Sequence, residues 1–274
     1  MGCQWSGMAR QMMQFDVFAN SIRRSHELLV PLGIDLVGLI TSDNANNQTM
    51  VSPYVSIAAV QVALVSMLKT AGVEPDGIVG HSLGEIGCGF ADGALTAEQT
   101  VMCAYWRGRC AELGNLPKGA MAAVGLTWEQ AKQRCRNGVT PACHNAEDSV
   151  TVSGPAEAVA ELVAQLKREN VFAREVNSLG VAFHSRYMQP VGLALQEALE
   201  KSFLEDLKKF GYHNADRLLP QGSFFGELFH ATGADSPRRK PDSTEQAGAG
   251  SFRYQKRKAY PLGCCKGRQS PVYP

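Results

Sequence analysis

The chain has 274 residues, of which 45% are apolar and 19% charged, so it is long enough to bury a substantial core. Its 27 basic and 26 acidic residues nearly cancel, which excludes an overall basic field of the kind that attracts nucleic acid. No apolar run has the roughly 18–20 residues of a membrane span and no signal peptide is recognisable, so we expect a cytoplasmic protein that binds neither nucleic acid nor membrane.

The pattern over residues 51–91 indicates the α/β class. Residues 51–70 are apolar on nearly all sides, which predicts a buried helix with Pro53 in its first turn. A short buried strand is predicted at 76–80, followed by a sharp corner and then a helix at 85–91. Helix, strand, corner and helix in this order are typical of a parallel sheet wrapped by helices.

A further helix is predicted after this unit. Thr96 and Gln99 have the spacing of a capping box, in which two side chains satisfy the first free amides of a helix. We expect this helix to run through Arg107 to Leu113.

Residues 119–183 have a different pattern, in which five predicted segments alternate between strand and helix. The first helix of this region has a second capping box, made by Thr127 and Gln130. Such alternation within about 65 residues resembles the ferredoxin-like α+β arrangement. The predicted segments are strands at 119–126, 150–154 and 172–176, and helices at 127–135 and 155–169.

These patterns divide the chain into two lobes with a cleft between them. We expect a hydrolase-like lobe made of residues 1–117 and 186–205, with a ferredoxin-like subdomain at 118–185 inserted into it. After about residue 205 the patterns decay, and the last part of the chain is rich in Pro, Gly and charge. Residues 206–274 are therefore predicted to form a divergent, largely disordered tail.

The eight cysteines indicate reduced thiols. None of them belongs to a C-x-x-C pair, and Cys143 beside His144 is too small a set of ligands for a structural zinc ion. We predict neither disulfides nor a bound metal.

Residues 80–84, GHSLG, match the G-x-S-x-G motif between a predicted strand and a predicted helix. This context predicts that a strained turn presents Ser82 as a nucleophile, with the amide of Leu83 directed at a developing oxyanion. The alternative is a glycine-rich turn with an idle serine. Neighbours on a strand point to opposite faces, so we expect His81 to point away from Ser82.

His184 is the best candidate for the base that a serine nucleophile needs. It follows Phe183 at the end of the subdomain, where the chain returns to the large lobe, at the hinge of the cleft. The alternative is a histidine that only fills the core.

Six motifs in the same order resemble the malonyl/acetyl transferase domain of animal-type fatty acid synthase. The resemblance implies an α/β-hydrolase-like lobe with a parallel sheet and an inserted ferredoxin-like subdomain. The motifs are GHSLGE at 80–85, YWRG at 105–108, GAMAAVG at 119–125, PACHN at 141–145, VSGP at 152–155 and AFHS at 182–185.

The resemblance also implies roles for six residues. Ser82 would carry the acyl group as an ester, and His184 would act as its general base. Arg107 would bind the free carboxylate of a malonyl group through its planar guanidinium. The oxyanion hole would use the amides of Leu83 and Gln4, and Phe183 would limit the size of the acyl group.

The implied reaction moves malonyl groups, with acetyl groups as a second substrate, from coenzyme A to the phosphopantetheine thiol of an acyl carrier protein. Coenzyme A enters as a thioester substrate, no cofactor is bound, and the parent synthase is expected to be dimeric. Two alternatives stay open, namely a serine esterase or thioesterase that uses water as the acceptor, and a catalytically silent fragment of the synthase.

Two features depart from the implied family pattern. The chain starts inside the glycine-rich oxyanion loop, and the later segments of the family are not recognisable after about Ser202. We therefore expect an incomplete large lobe followed by an unrelated C-terminal tail. Residues 1–6 also match an N-myristoylation motif with Cys3 as a second acylation site, but the oxyanion loop explains the same residues.

Overall fold

The protein is described by a computed structural model that covers residues 4–43, 49–209 and 251–255. Most of the predicted tail lies outside these ranges. The α-helices are α1 Asp16–Leu29, α2 Leu36–Thr41, α3 Val51–Thr70, α4 Gly84–Asp92, α5 Ala97–Leu113, α6 Trp128–Arg134, α7 Ala156–Arg168 and α8 Gln189–Lys209. The strands are β1 Gly77–His81, β2 Gly119–Val124, β3 Thr140–Ala146, β4 Ser149–Pro155, β5 Ala173–Val176 and β6 Ser251–Gln255.

Helix α3 is the central helix of the large lobe. It packs against α1, α4 and α5, and its first three turns are buried on all sides, which confirms the predicted buried helix. Its length and hydropathy would also suffice to cross a bilayer, but most of this apolar surface is buried inside the protein.

Helix α5 starts with the predicted capping box, in which Thr96 and Gln99 exchange side-chain and backbone hydrogen bonds. Farther along, Gly108 lies directly against the start of α3. A Cβ atom at residue 108 would lie 2.7 Å from the Cα atom of Val51, so this approach requires a glycine. The YWRG motif therefore places two helix backbones in contact.

Strand β1 differs from the prediction of a buried strand. It pairs antiparallel with β6, from Gly77 opposite Gln255 to His81 opposite Ser251. Within the described residues this is its only sheet partner, and the side chain of Val79 is 66% exposed. The parallel pairing expected for this lobe is not seen there. Strand β6 lies within the stretch 206–274 that is predicted to be a largely disordered tail.

The subdomain has the order β2-α6-β3-β4-α7-β5, which is the ferredoxin-like arrangement predicted from the sequence. Its four strands form one antiparallel sheet in the order β3-β4-β2-β5. The second capping box, of Thr127 and Gln130, is also present. Strand β3 was not predicted.

Three apolar clusters hold these elements, and one of them lies between the two lobes. The first joins α1, α2, α3 and α5, and the second fills the subdomain between its sheet and its helices. The third combines side chains of α3, α4, α5 and α8 with Met121 of β2 and with Phe183. The α/β class is confirmed, and this third cluster lies next to the predicted site.

Candidate active site

Ser82 and His184 meet although 102 residues separate them in the chain. Ser82 Oγ lies 2.8 Å from His184 Nε2, which is hydrogen-bond distance. Both residues are half-buried. A hydroxyl and an imidazole in this arrangement can exchange a proton, as a nucleophile and its general base must.

The corner that presents Ser82 has left-handed backbone. The φ angle of Ser82 is 55°, a conformation that non-glycine residues rarely adopt. Gly80 permits the tight turn, since a Cβ atom there would lie 2.6 Å from Cys88 Sγ and 2.7 Å from the amide nitrogen of Glu85. This turn takes Ser82 out of the strand direction, and His81 and Ser82 consequently line the same cavity. The nitrogen within hydrogen-bond distance of Ser82 Oγ is that of His184, while His81 Nε2 lies 3.1 Å from Asn145 Oδ1.

The loop that carries His184 is held by the start of β2. The φ angle of His184 is 58°, and its neighbour Ser185 donates a hydrogen bond of 2.5 Å from its hydroxyl to the carbonyl of Ala182. The backbone of Gly119 lies against Ala182 with no space for a Cβ atom, and the amide of Gly119 donates to the carbonyl of Gly180 at 2.8 Å. The small residues of the GAMAAVG and AFHS motifs thus allow two backbones to touch.

A cavity of about 130 Å³ opens beside the pair. It brings together four of the six predicted site residues, namely Ser82, His184, Arg107 and Phe183. Its other lining residues are Tyr54, His81, Met121, Cys143, Thr151, Val176, Asn177 and Ser178.

The two predicted oxyanion residues are not among the residues that line this cavity. Leu83 is buried and immediately precedes α4, so its amide belongs to the N-terminal end of that helix. Gln4 is described and half-buried in the first segment of the chain. The oxyanion hole therefore stays a prediction.

Arg107 projects from α5 into a group of buried polar side chains. Burial raises the pKa of the Tyr54 hydroxyl, while the charge of Arg107 and a hydrogen bond from it oppose this shift. Burial also raises the pKa of the Glu85 carboxyl, again against the charge of Arg107. The guanidinium is thus hydrogen-bonded to a hydroxyl on α3 and lies within electrostatic reach of a carboxyl on α4, at the wall of a cavity that contains the nucleophile.

Phe183 forms the apolar part of the wall together with Tyr54. Their ring centroids lie 6.2 Å apart at an interplanar angle of 69°, which is an edge-to-face contact. Tyr54 was not predicted as a site residue, because it appears in the sequence as one apolar position of a buried helix.

The cysteines do not compete with Ser82 for the role of nucleophile. Cys143 lines the cavity, but burial raises its pKa, which disfavours the reactive thiolate. Burial raises the pKa of Cys103 to about 12. The five cysteines in the described residues are free thiols, and no three metal-ligating side chains cluster in this part of the chain.

Comparison with known proteins gives a consistent result. The sequence profile of the acyl transferase domain matches residues 1–222. The highly reducing polyketide synthase xilA of Penicillium crustosum is 37% identical over 207 residues, which are 72% of this chain and 8% of that protein. The partially reducing polyketide synthase men1 of Menisporopsis theobromae is 37% identical over 212 residues, or 73% of this chain and 8% of that protein. This chain thus spans less than a tenth of the length of these relatives.

Solved structures share the fold. The acyltransferase domain of the polyketide synthase PpsC of Mycobacterium tuberculosis has a TM-score of 0.66 and 27% identity, covering 73% of this chain and 61% of that one. The malonyl CoA-acyl carrier protein transacylase of Coxiella burnetii has a TM-score of 0.65 and 27% identity, covering 72% of this chain and 65% of that one.

Proposed function

This chain belongs to the acyl transferase domain family, and from this membership we propose that it moves malonyl groups from coenzyme A to the phosphopantetheine thiol of an acyl carrier protein. Acetyl groups are its second substrate. The observation that carries the proposal is that Arg107 lines the same cavity as the hydrogen-bonded pair of Ser82 and His184.

The first half of the reaction loads the enzyme. His184 Nε2 accepts the proton of the Ser82 hydroxyl while Ser82 Oγ attacks the thioester carbonyl of malonyl-CoA. The amides of Leu83 and Gln4 are proposed to stabilise the oxyanion. The C–S bond then breaks, and the thiol of coenzyme A leaves with the proton from His184.

The second half unloads the malonyl group onto the carrier. His184 takes the proton of the phosphopantetheine thiol, whose sulfur attacks the carbonyl of the Ser82 ester. The C–O bond breaks, Ser82 Oγ recovers a proton from His184, and the malonyl thioester departs with the carrier. The donor malonyl-CoA and the acceptor thiol react with the same serine one after the other, so ping-pong kinetics are expected.

Arg107 gives the proposed preference for malonyl groups. Its guanidinium can donate two parallel hydrogen bonds to a free carboxylate, which is a stronger interaction than one between neutral groups. A serine esterase for neutral esters has no use for a cation at this place. The position of Arg107 therefore favours the transferase over the esterase or thioesterase alternative.

The parent protein is proposed to be a fatty acid synthase of the animal type. The six motifs support this assignment. The relatives named above are polyketide synthases. The assignment to fatty acid synthesis is therefore a separate proposal, which goes beyond the acyl transfer step itself.

The test is covalent loading of the full chain with radiolabelled malonyl-CoA. We expect label on Ser82 that is released by a carrier protein bearing phosphopantetheine, and no label in Ser82→Ala. Release into water alone, at the same rate with and without the carrier, would instead identify a thioesterase. An absence of label in a folded wild-type chain would contradict the proposal.

A further inference from the structure

A chain of three polar side chains crosses from the large lobe to the subdomain beside the nucleophile. His81 Nε2 on β1 lies 3.1 Å from Asn145 Oδ1 on β3, across 64 residues of sequence. Asn145 Nδ2 in turn donates to Thr151 Oγ1 on β4 at 2.9 Å. We call these three residues the interlobe bridge.

The hydrogen bonds of Asn145 determine the proton position on His81. The amide NH2 group can only donate, and it is used on Thr151. With the amide in this orientation, the carbonyl oxygen Oδ1 accepts a hydrogen bond from His81, which assigns a proton to His81 Nε2. In this tautomer His81 Nε2 has no free lone pair, and Ser82 Oγ instead lies 2.8 Å from His184 Nε2.

Two residues of the interlobe bridge are more exposed to solvent than the nucleophile and its base. His81 and Asn145 are exposed, whereas Ser82 and His184 are half-buried. His81 and Thr151 also line the cavity that contains Ser82. Any opening between β1 and the edge of the subdomain sheet would therefore admit water next to the Ser82 ester.

Strand β3 is less regularly paired than the central strands of its sheet, so a hydrogen bond to another element stabilises its position. It is one of the two edge strands, it contains Pro141, and its pairing with β4 shifts register at two points. An irregular edge strand is held by fewer ladder hydrogen bonds than a central one. The bond from Asn145 to His81 attaches this strand to the backbone segment that carries Ser82.

We propose that the interlobe bridge holds the subdomain against the nucleophile strand and so protects the acyl-serine from water. The proposal rests on the transfer reaction proposed above, since it concerns the fate of the same ester. The three residues of the interlobe bridge are positioning residues, because they hold the two lobes together and do not touch the reacting atoms. The quantity they control is the partition of the malonyl ester between hydrolysis and transfer to the carrier.

The first experiment measures that partition in the full chain loaded with labelled malonyl-CoA. Asn145→Leu and Thr151→Val should each raise the ratio of hydrolysis to transfer by about five-fold, as expected for the loss of one hydrogen bond. Thr151→Ser keeps the hydroxyl and should retain the wild-type ratio. The matched control is Thr140→Val, which removes a hydrogen bond to Ser153 in the same sheet but outside the interlobe bridge. Equal ratios in Asn145→Leu and Thr140→Val would overturn the proposal.

The second experiment does not depend on loading. Nitrogen-15 NMR of the histidine side chains in the full chain should show the Nε2-protonated tautomer of His81, and Asn145→Leu should change this signal. A proton on Nδ1 in the wild type, or an unchanged signal in Asn145→Leu, would overturn the interlobe bridge. A wild-type chain that shows the expected tautomer but takes no label would contradict the proposed function and leave the interlobe bridge supported.

Discussion

Ser82 and His184 share a hydrogen bond and an unusual backbone conformation. Their φ angles are 55° and 58°, so both residues that would exchange the proton lie in the left-handed region. Such conformations cost of order 1–3 kcal/mol and persist only where the surrounding structure enforces them. Here Gly80 and Gly119 provide the close backbone contacts that do so.

The strain at Ser82 predicts an unequal effect of two substitutions that both remove the hydroxyl. Ser82→Gly relieves the left-handed conformation, whereas Ser82→Ala keeps the Cβ atom and the strain. We expect the glycine variant to have a free energy of unfolding about 1 kcal/mol higher than the alanine variant. Urea denaturation measures the difference, and neither variant should be labelled by malonyl-CoA. A glycine variant less stable than the alanine variant would contradict strain at this corner.

The position of Arg107 in the cavity predicts that its removal lowers malonyl loading selectively. A hydrogen bond to a charged group contributes about 1.5–3 kcal/mol, so Arg107→Ala should lower malonyl loading of Ser82 by about 10- to 100-fold. Acetyl loading should change little, because an acetyl group has no carboxylate to bind. Arg109→Ala is the matched control, since Arg109 lies on the same helix and pairs with Glu112 instead. Equal losses for malonyl and acetyl in Arg107→Ala would rule out the carboxylate-binding role.

Glu85 predicts a pH-dependent effect on stability. Burial raises the pKa of this carboxyl in the folded protein above its usual value of 4.5, so the folded state binds the proton more tightly than the unfolded chain. As the pH rises above 4.5, the unfolded chain ionises first, and this residue's contribution to the free energy of unfolding falls until the folded carboxyl has ionised too. Glu85→Gln removes this dependence.

The measurement is urea denaturation of wild type and Glu85→Gln between pH 4.5 and pH 7. The variant should gain stability relative to the wild type as the pH rises through this window. A constant difference would show that the carboxyl has the same pKa in both states.

The contact of Gly119 with Ala182 predicts a long-range effect on catalysis. A methyl group at residue 119 would push on the loop that carries His184, at a cost of about 1–3 kcal/mol for overpacking. Gly119→Ala should therefore lower both the melting temperature and the loading rate. Gly192→Ala serves as the comparison, because no atom lies within 4 Å of the added carbon in α8. Similar behaviour of the two variants would exclude a role for the backbone contact.

Local sequence signals predicted the parts of the fold that local interactions form. Both capping boxes, the apolar helix α3 and the strand-corner-helix around Ser82 have their own short-range patterns. Strand β3 has none, because an edge strand with a proline and two register shifts lacks regular alternation of apolar and polar residues. The exposure of β1 depends on which distant segment pairs with it, and the five residues of β1 do not predict that β6 is this partner.

The site residues also fall into those with a local sequence signal and those whose role depends on contacts between distant segments. Ser82 is recognisable from its own five residues, and His184 from its place at the hinge. Arg107 and Phe183 were assigned through the resemblance, and the structure shows which cavity they share. Tyr54, Glu85 and the partners of His81 could not be found from the sequence, since their roles arise from contacts between elements far apart in the chain.

The contact of Gly108 with the start of α3 couples two properties of the site. Arg107, next to this glycine, is proposed to recognise the charge of the acyl group, while Tyr54, one turn into α3, contacts Phe183, which is proposed to limit the size of that group. Because the backbones of α3 and α5 touch at Gly108, a shift of one helix requires a shift of the other. Selection for a larger acyl chain would therefore disturb the discrimination of charge, and the two specificities are expected to evolve together.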